Sequence, residues 1–249
     1  MNPFDFFLPF LSVMEQLFVL FDRGTGNFGI TILLFTAATR LLLYPLSVPS
    51  LKAAKKMQEL KPHMDKLKER HGNDKKALAA AQMDLYKQHG VNPAAGCLPQ
   101  ILQIFILISL YQVFMKAAGG NLNGHTFNMT FFWMDLAKPD QYYVLPALAG
   151  ITQLALSLMM MPKGSPQGQN APAVKEASGK SGDMGAEMQK QMAIMFPLMT
   201  VFISLKFPSG LSLYWVATTV FSIVQQYKIA GLGGLEQYMV KLKSIANRK

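Results

Sequence analysis

The chain has a single cysteine, Cys97, among its 249 residues, which excludes an intrachain disulfide and any cysteine-based metal site. Histidine is nearly as scarce. His63, His71, His89 and His125 show no HxxxH spacing and no pair that shares a helical face as ligands. All four read as solvated or interfacial, and neither a metal nor a cofactor is expected. The signatures GxxxxGK[ST], HExxH and GxSxG are absent, as is an intramembrane pair of aspartates, so ATP hydrolysis and intramembrane proteolysis have no visible machinery and no enzyme is expected. One GxGxxG match, Gly24 to Gly29, follows no strand, and Pro49 stands where an acid would be needed. It reads as a flexible lead-in to a helix. No basic n-region or small-residue cleavage site marks a signal peptide, and Cys97 lies too far along the chain to anchor a lipoprotein.

Charge is also sparse, at 15% of residues, against 51% hydrophobic residues with 17 Met and 17 Phe. Such a balance, with the charges clustered, belongs to a membrane protein. Runs approaching the roughly 20 apolar residues that cross a bilayer cover residues 28–46, 94–115, 142–161, 193–206 and 209–227. The expectation is therefore an all-α polytopic membrane protein with five transmembrane helices. Residues 1–27 are interrupted by Asp5, Glu15 and Gln16 and punctuated by Pro3 and Pro9, which suits an amphipathic helix lying in the interface. Fifteen residues between Lys190 and Lys206 make the fourth run short, and local thinning of the bilayer is one way to accommodate it.

The basic residues give the orientation. Segments 47–93, 162–192 and the tail after Tyr227 hold 19 of the 24 Lys and Arg, and five spans put all three on one side. The N-terminus is expected outside and the C-terminus in the cytoplasm. Most of the net charge of +10 is then topology. The basic tail, residues 229–249, reads as exposed and flexible, and ribosome contact is a further use for it.

Loop 47–93 is longer than a connector requires. Ala53, Met57, Leu60, Met64 and Leu67 recur at alternating four- and three-residue spacings, a helical seam, with Pro62 expected to kink or split the arm. Asp74 suits an N-cap, Leu78, Ala81 and Leu85 resume the pattern, and Gly90 ends it. The product is a cytoplasmic helical hairpin. Residues 162–190, rich in Gly, Ser, Pro, Gln and Lys at their start, read as a disordered cytoplasmic loop.

Arg40 is the one charge inside an apolar run. A central arginine costs roughly 2.5 to 3.5 kcal/mol to insert, so it faces water, a partner or a substrate, unless its long stem snorkels to the interface six residues away.

These residues carry a resemblance. Thr39-Arg-Leu-Leu-Leu-Tyr-Pro-Leu46, Leu60-Lys-Pro-His-Met64, Met83-Asp-Leu-Tyr-Lys87, Val91-Asn-Pro-Ala-Ala-Gly-Cys-Leu-Pro99, Tyr142-Tyr-Val-Leu-Pro146 and Phe207-Pro-Ser-Gly-Leu211, with Tyr214 and Gln225-Gln226, resemble in order and spacing the YidC/Oxa membrane protein insertase family over residues 28–228. The resemblance implies five helices around a hydrophilic groove that opens to cytoplasm and lipid. Arg40, Thr36, Gln103, Gln153 and Trp215 would bind substrate there. Polar groups inside apolar spans agree with this, since an amide in lipid is costly unless satisfied. The plain alternatives are interhelical bonds for Gln103 and Gln153, a backbone bond for Thr36, and packing or an interface belt for Trp215. The implied partners are nascent membrane proteins and the lipid bilayer of the bacterial inner membrane, with the Sec translocon and the ribosome as candidates, no DNA, and a monomer. Phe105 stands where the family often has proline, and no large extracytoplasmic domain precedes the first span, which makes this the compact form. Two rivals remain: a small transporter or channel, which would show inverted repeats that the five spans lack, and a docking adaptor, which would need no intramembrane arginine.

Overall fold

The computed structural model describes residues 8–71, 74–92, 98–119, 122, 124–161 and 184–246. Ten helices and one short hairpin occur among them: α1 (Leu8–Thr25), α2 (Phe28–Leu42), α3 (Tyr44–Glu59), α4 (Lys61–His71), α5 (Lys75–Gln88), α6 (Leu98–Ala118), β1 (Thr130–Phe131), β2 (Met134–Asp135), α7 (Val144–Met159), α8 (Met184–Lys206), α9 (Ser209–Ala230) and α10 (Leu235–Ala246). α2, α6, α7, α8 and α9 correspond to the five apolar runs, although residues 94–97 of the second run lie outside the described residues.

The first run is not one straight span. α2 ends at Leu42, and α3 leaves at 67° to it. The cause is Pro45 in the first turn of α3, which brings no N–H to the ladder and whose ring would clash with the Leu41 carbonyl in a continuous helix. Among the described residues no single helix is long and apolar enough to cross a membrane, but the bent pair α2 and α3 meets that test together. The shorter apolar stretches are Leu102–Ala118, Val144–Met159 and Ala193–Lys206.

The core gathers at one end of the bundle, here called the β end. Phe18 of α1 lies with its ring 4.4 Å from Phe35 of α2 and 5.8 Å from Phe28, which in turn is 5.0 Å from Phe114 of α6. Ile32, Leu110, Val113, Leu136 and Leu211 complete it. α1 thus packs on α2 and α6 through Met14, Phe18 and Val19 while exposing Val13 and Leu20 on its other side. The bundle also presents large apolar residues outward, Leu198 at 60% and Phe202 at 70% exposure on α8. A surface of that kind requires an apolar solvent or a partner.

Polar pairs close the β end. Asp22, only 3% exposed, accepts from Thr31 Oγ1 at 2.9 Å through Oδ1 and lies 2.7 Å from His125 Nε2 through Oδ2. His125 is therefore not a free solvated ring: its side chain is 23% exposed, and a carboxylate from a segment far away in sequence reaches it. Lys116 pairs with Glu15. Asp140, buried, accepts from the Tyr142 and Leu145 backbone N–H groups at 3.1 and 2.8 Å. The Gly24 to Gly29 segment is an ordered turn rather than a flexible lead-in: α1 stops at Thr25, and the Asn27 side chain caps α2 by accepting from Gly29 and Ile30 N–H groups.

The long loop forms helices where its pattern places them. Pro62 sits in the first turn of α4, after a break at Leu60, and Asp74 caps α5 by accepting from Lys76 and Ala77 N–H groups. The His63 and His89 rings lie 6.0 Å apart, so the start of α4 meets the end of α5 in an antiparallel hairpin.

Two segments read as unstructured differ. Residues 162–183 lie outside the described residues, but 184–190 belong to α8; Ala186-Glu-Met-Gln-Lys-Gln191 is made of good helix formers, so the helix extends well before its apolar part. The basic tail is helical through Ala246. Its preceding turn docks on the end of α7, where Gly234 N–H donates to the Met161 carbonyl at 2.9 Å. Gly233, at φ +52°, brings its backbone against the Met159 carbonyl, where a Cβ would stand 2.0 Å from the oxygen; no other residue fits there.

Candidate functional site

Arg40 sits in the last turn of α2, just before the bend. Phe28, Ile32 and Phe35 bury one face of that helix, which fixes its rotation and sets Arg40 about 110° round from that face. The guanidinium is half-buried, and its Nη2 donates to Gln103 Oε1 of α6 at 3.1 Å. Gln103 Nε2 donates to the Tyr214 hydroxyl of α9 at 2.7 Å. One line of hydrogen bonds therefore joins three helices, and the arginine turns inward along it. Among the described residues no carboxylate lies within ion-pair distance of Arg40. Its partners are neutral, so the charge stays uncompensated, and in a setting less polar than water its attraction for an anion exceeds the roughly 1 kcal/mol of a pair at 4 Å in bulk water.

The other expected site residues are placed as follows. Thr36, one turn before Arg40 and 2% exposed, donates its hydroxyl to the Ile32 carbonyl at 2.7 Å, the plain backbone alternative. Gln153 is buried on α7, a helix that packs on α8 and α9, and is not a member of the Arg40–Gln103–Tyr214 line. Trp215 is half-buried beside Tyr214 on α9. The structure thus joins Arg40 and Gln103 directly and leaves Thr36, Gln153 and Trp215 outside that line.

Sequence reasoning did not rank Tyr214, Thr218 and Gln225 among the site residues. They stand at i, i+4 and i+11 on α9, within about 40° of one face at 3.6 residues per turn, and all are buried, at 3%, 9% and 4% exposure. Gln225 Nε2 and Gln226 Oε1 have no hydrogen-bond partner among the described residues, while Gln226 Nε2 reaches the Met159 carbonyl at 3.5 Å. A buried amide left partly unsatisfied costs about 1 to 3 kcal/mol and calls for a reason, such as an ordered water, an ion or a functional role. The signal available beforehand was the helical spacing of Tyr214, Thr218 and Gln225 in a run that also carries Ser212, Thr219, Ser222 and Gln226. Chemically, this strip can attract and hydrogen-bond a polar, acidic chain; among the described residues no cluster of three or more His, Cys, Asp or Glu could hold a metal ion.

Known proteins resemble the chain over most of its length. The family model described as 60Kd inner membrane protein matches residues 20–232. A membrane protein insertase YidC of Fusobacterium nucleatum subsp. nucleatum is 34% identical over 212 residues, covering 85% of this chain and 90% of the relative. The membrane protein insertase MisCA of Bacillus subtilis is 35% identical over 226 residues, covering 88% and 76%. A longer relative, the insertase YidC of Geobacter sulfurreducens, is 36% identical over 210 residues, and the match covers 84% of this chain but 35% of that protein. Among solved structures, an active YidC insertase with its first transmembrane domain resolved superposes with a TM-score of 0.60 at 25% identity, over 89% of this chain and 46% of that one. The chain belongs to the 60Kd inner membrane protein family, the YidC/Oxa family of membrane protein insertases.

Proposed function

We propose that this chain inserts nascent membrane proteins into the bacterial inner membrane, with Arg40 drawing in the hydrophilic, acidic tail of the substrate. The observation that carries the reading is a half-buried guanidinium held by neutral Gln103 and Tyr214, with no carboxylate beside it among the described residues. In this reading α2, α6, α7, α8 and α9 make five crossings around a hydrophilic groove, with the N-terminus outside and the C-terminus in the cytoplasm, as the clustering of basic residues favours. α1 lies along the interface, its exposed Val13 and Leu20 toward lipid.

The steps follow from the chemistry of these residues. A hydrophilic tail meets the α4–α5 hairpin and enters the polar strip, where Arg40 attracts its acids and the Thr36, Gln103, Gln153, Tyr214 and Gln225 side chains replace water around its peptide groups. Trp215 packs against the chain as it passes. The apolar segment of the substrate slides along the lipid-facing helices and partitions into the bilayer. Burial of that segment supplies the driving force, which requires no nucleotide and no covalent step. The hairpin and α10 are the surfaces proposed for the ribosome and the Sec translocon, and the working unit is taken as a monomer.

The test is reconstitution. Purified protein in liposomes is expected to insert a small single-span substrate with an acidic tail without added energy, and Arg40→Ala to impair this while Arg40→Lys is tolerated. Full insertion by the alanine variant would overturn the role given to Arg40, and passage of a solute in place of insertion would favour a transporter.

A further inference from the structure

A two-residue β-hairpin loop normally takes glycine, asparagine or aspartate, because its first position requires a left-handed backbone. Here Thr130 pairs with Asp135 and Phe131 with Met134, so the loop is Phe132-Trp133, and Phe132 takes φ +51°. Tyr143, the N-cap of α7, is likewise left-handed at φ +58°. These are the two non-glycine residues with positive φ among the described residues, and both are bulky aromatics whose side chains disfavour that backbone. Both are also exposed, Phe132 at 77% and Tyr143 at 63%, as are their neighbours Trp133 at 55% and Tyr142 at 68%. The Phe132 ring meets the neighbouring Phe131 ring edge-on at 4.7 Å yet stays mostly exposed, so strain at these aromatic positions buries little apolar surface in return, which points to a use for the exposed rings.

Their mounting is rigid. The Phe131 ring lies on Gly29, where a Cβ would come within 2.2 Å of it. Asn27 Nδ2 donates to the Thr130 carbonyl at 2.9 Å and Ser209 Oγ to the Asp135 carbonyl at 3.0 Å, clamping the hairpin to the first turns of α2 and α9. The buried Asp140 carboxylate holds the Tyr142–Leu145 turn in the same way. Each aromatic pair then stands at the start of an exposed apolar stripe: Ile30, Leu33 and Leu34 follow on α2, and Val144, Leu148 and Ile151 on α7. In a membrane protein of this family those stripes are lipid-facing, so the aromatics sit where lipid contact gives way to water, the depth that Trp and Tyr prefer.

We propose that Phe132, Trp133, Tyr142 and Tyr143 form a preset anchor that enters the headgroup and upper acyl region of the leaflet at the β end and fixes the depth of that end. The occupant is lipid rather than a protein partner, because both pairs continue apolar stripes that already face the bilayer. This rests on membrane placement alone, so its failure would leave the insertion reading intact.

The test uses Trp133 as its own reporter. The chain has two tryptophans, Trp133 and Trp215, and Trp215→Phe isolates the former; should that variant not fold, the wild-type signal minus that of Trp133→Phe isolates it instead. The protein is reconstituted into phosphatidylcholine–phosphatidylglycerol vesicles carrying bromine either near the glycerol end or at the far end of the acyl chain. Trp133 is expected to be quenched most by bromine near the glycerol end and to be shielded from aqueous iodide. Phe132→Asn, which tolerates the left-handed backbone but removes a ring, is expected to raise iodide quenching of Trp133 about threefold as the interfacial hold weakens. Indifference of Trp133 to both brominated lipids together with full iodide access overturns the proposal. So does shielding that appears only when a second protein is added, which would assign the surface to that partner.

Discussion

The β end and the strip along α9 treat buried polar groups in opposite ways. At the β end Asp22 meets Thr31 and His125, Glu15 meets Lys116, and Asp140 meets two backbone N–H groups. Beside α9 the Arg40 guanidinium is held by neutral partners, and two buried amides of α9 keep an atom unpaired among the described residues. A satisfied network closes and stiffens a structure, whereas a partly satisfied one costs stability and calls for a reason, such as water, an ion or a ligand. The contrast separates the part of the molecule that holds shape from the part read as receiving substrate, and each half can be broken without the other.

The largest stability effect belongs to the β end. Asp22→Ala removes the carboxylate from the His125 ring, while the Thr31 hydroxyl keeps Thr25 Oγ1 and the Asn27 carbonyl, and is expected to cost about 2 kcal/mol, less than for a fully buried pair because the His125 side chain is 23% exposed. Thermal unfolding in detergent measures it, and insertion should fall only as far as folded protein is lost. An unchanged midpoint would mean that α1 is held by its aromatic packing alone.

Arg40→Ala reverses that pattern. Insertion of substrates with acidic tails is expected to fall about tenfold, equivalent to 1.4 kcal/mol, with the unfolding midpoint nearly unmoved, because the loss of one charge-assisted hydrogen bond to Gln103 is offset by removal of a costly half-buried charge. A large fall in stability with equal loss for neutral-tailed substrates would instead make Arg40 a structural strut. Gln225→Leu sharpens the same contrast on a smaller scale. Removing a half-satisfied buried amide is expected to stabilise the protein by about 1 kcal/mol while slowing insertion, and a destabilised variant would mean that the amide already has its partner.

Much of this division was legible in the chain, and what was not shares a physical reason. Asp74 as a cap and the division of the hairpin arm near Pro62 are local events, decided within a few residues, and the structure has both. Arg40 stood out because one charge in an apolar run is a local anomaly. The Asp22–His125 pair joins positions 103 apart and the Gln103–Tyr214 bond positions 111 apart, and no periodicity reports such meetings. The bend at Leu43 was concealed for another reason: Pro45 was visible, but hydropathy continued through it to Leu46, and apolar content says nothing about backbone direction. The Thr130–Asp135 hairpin has aromatics where turn chemistry asks for glycine or asparagine, so it gave no turn signal. The helical tail depends on Gly233 fitting against the end of α7, a tertiary contact that composition cannot express.

The smallest expected effect probes the join between the two behaviours. Gln58, near the end of α3, donates to the Met160 carbonyl at 2.6 Å, while Gly234 N–H and Gln226 take the neighbouring carbonyls of α7. This exposed bond ties the helix leading into the hairpin to the bundle at the end remote from the β network. Being solvent-accessible, it is worth about 0.5 kcal/mol, so Gln58→Ala should barely change the unfolding midpoint. Hydrogen exchange is the sharper measure, since a local tether alters local opening more than global stability. Amides of α4 and α5 are expected to exchange faster in the variant, while those of α1 around Phe18 keep their protection. Faster exchange at both ends would show that hairpin and β end move as one body, and the separation between a holding region and a receiving region would then fail.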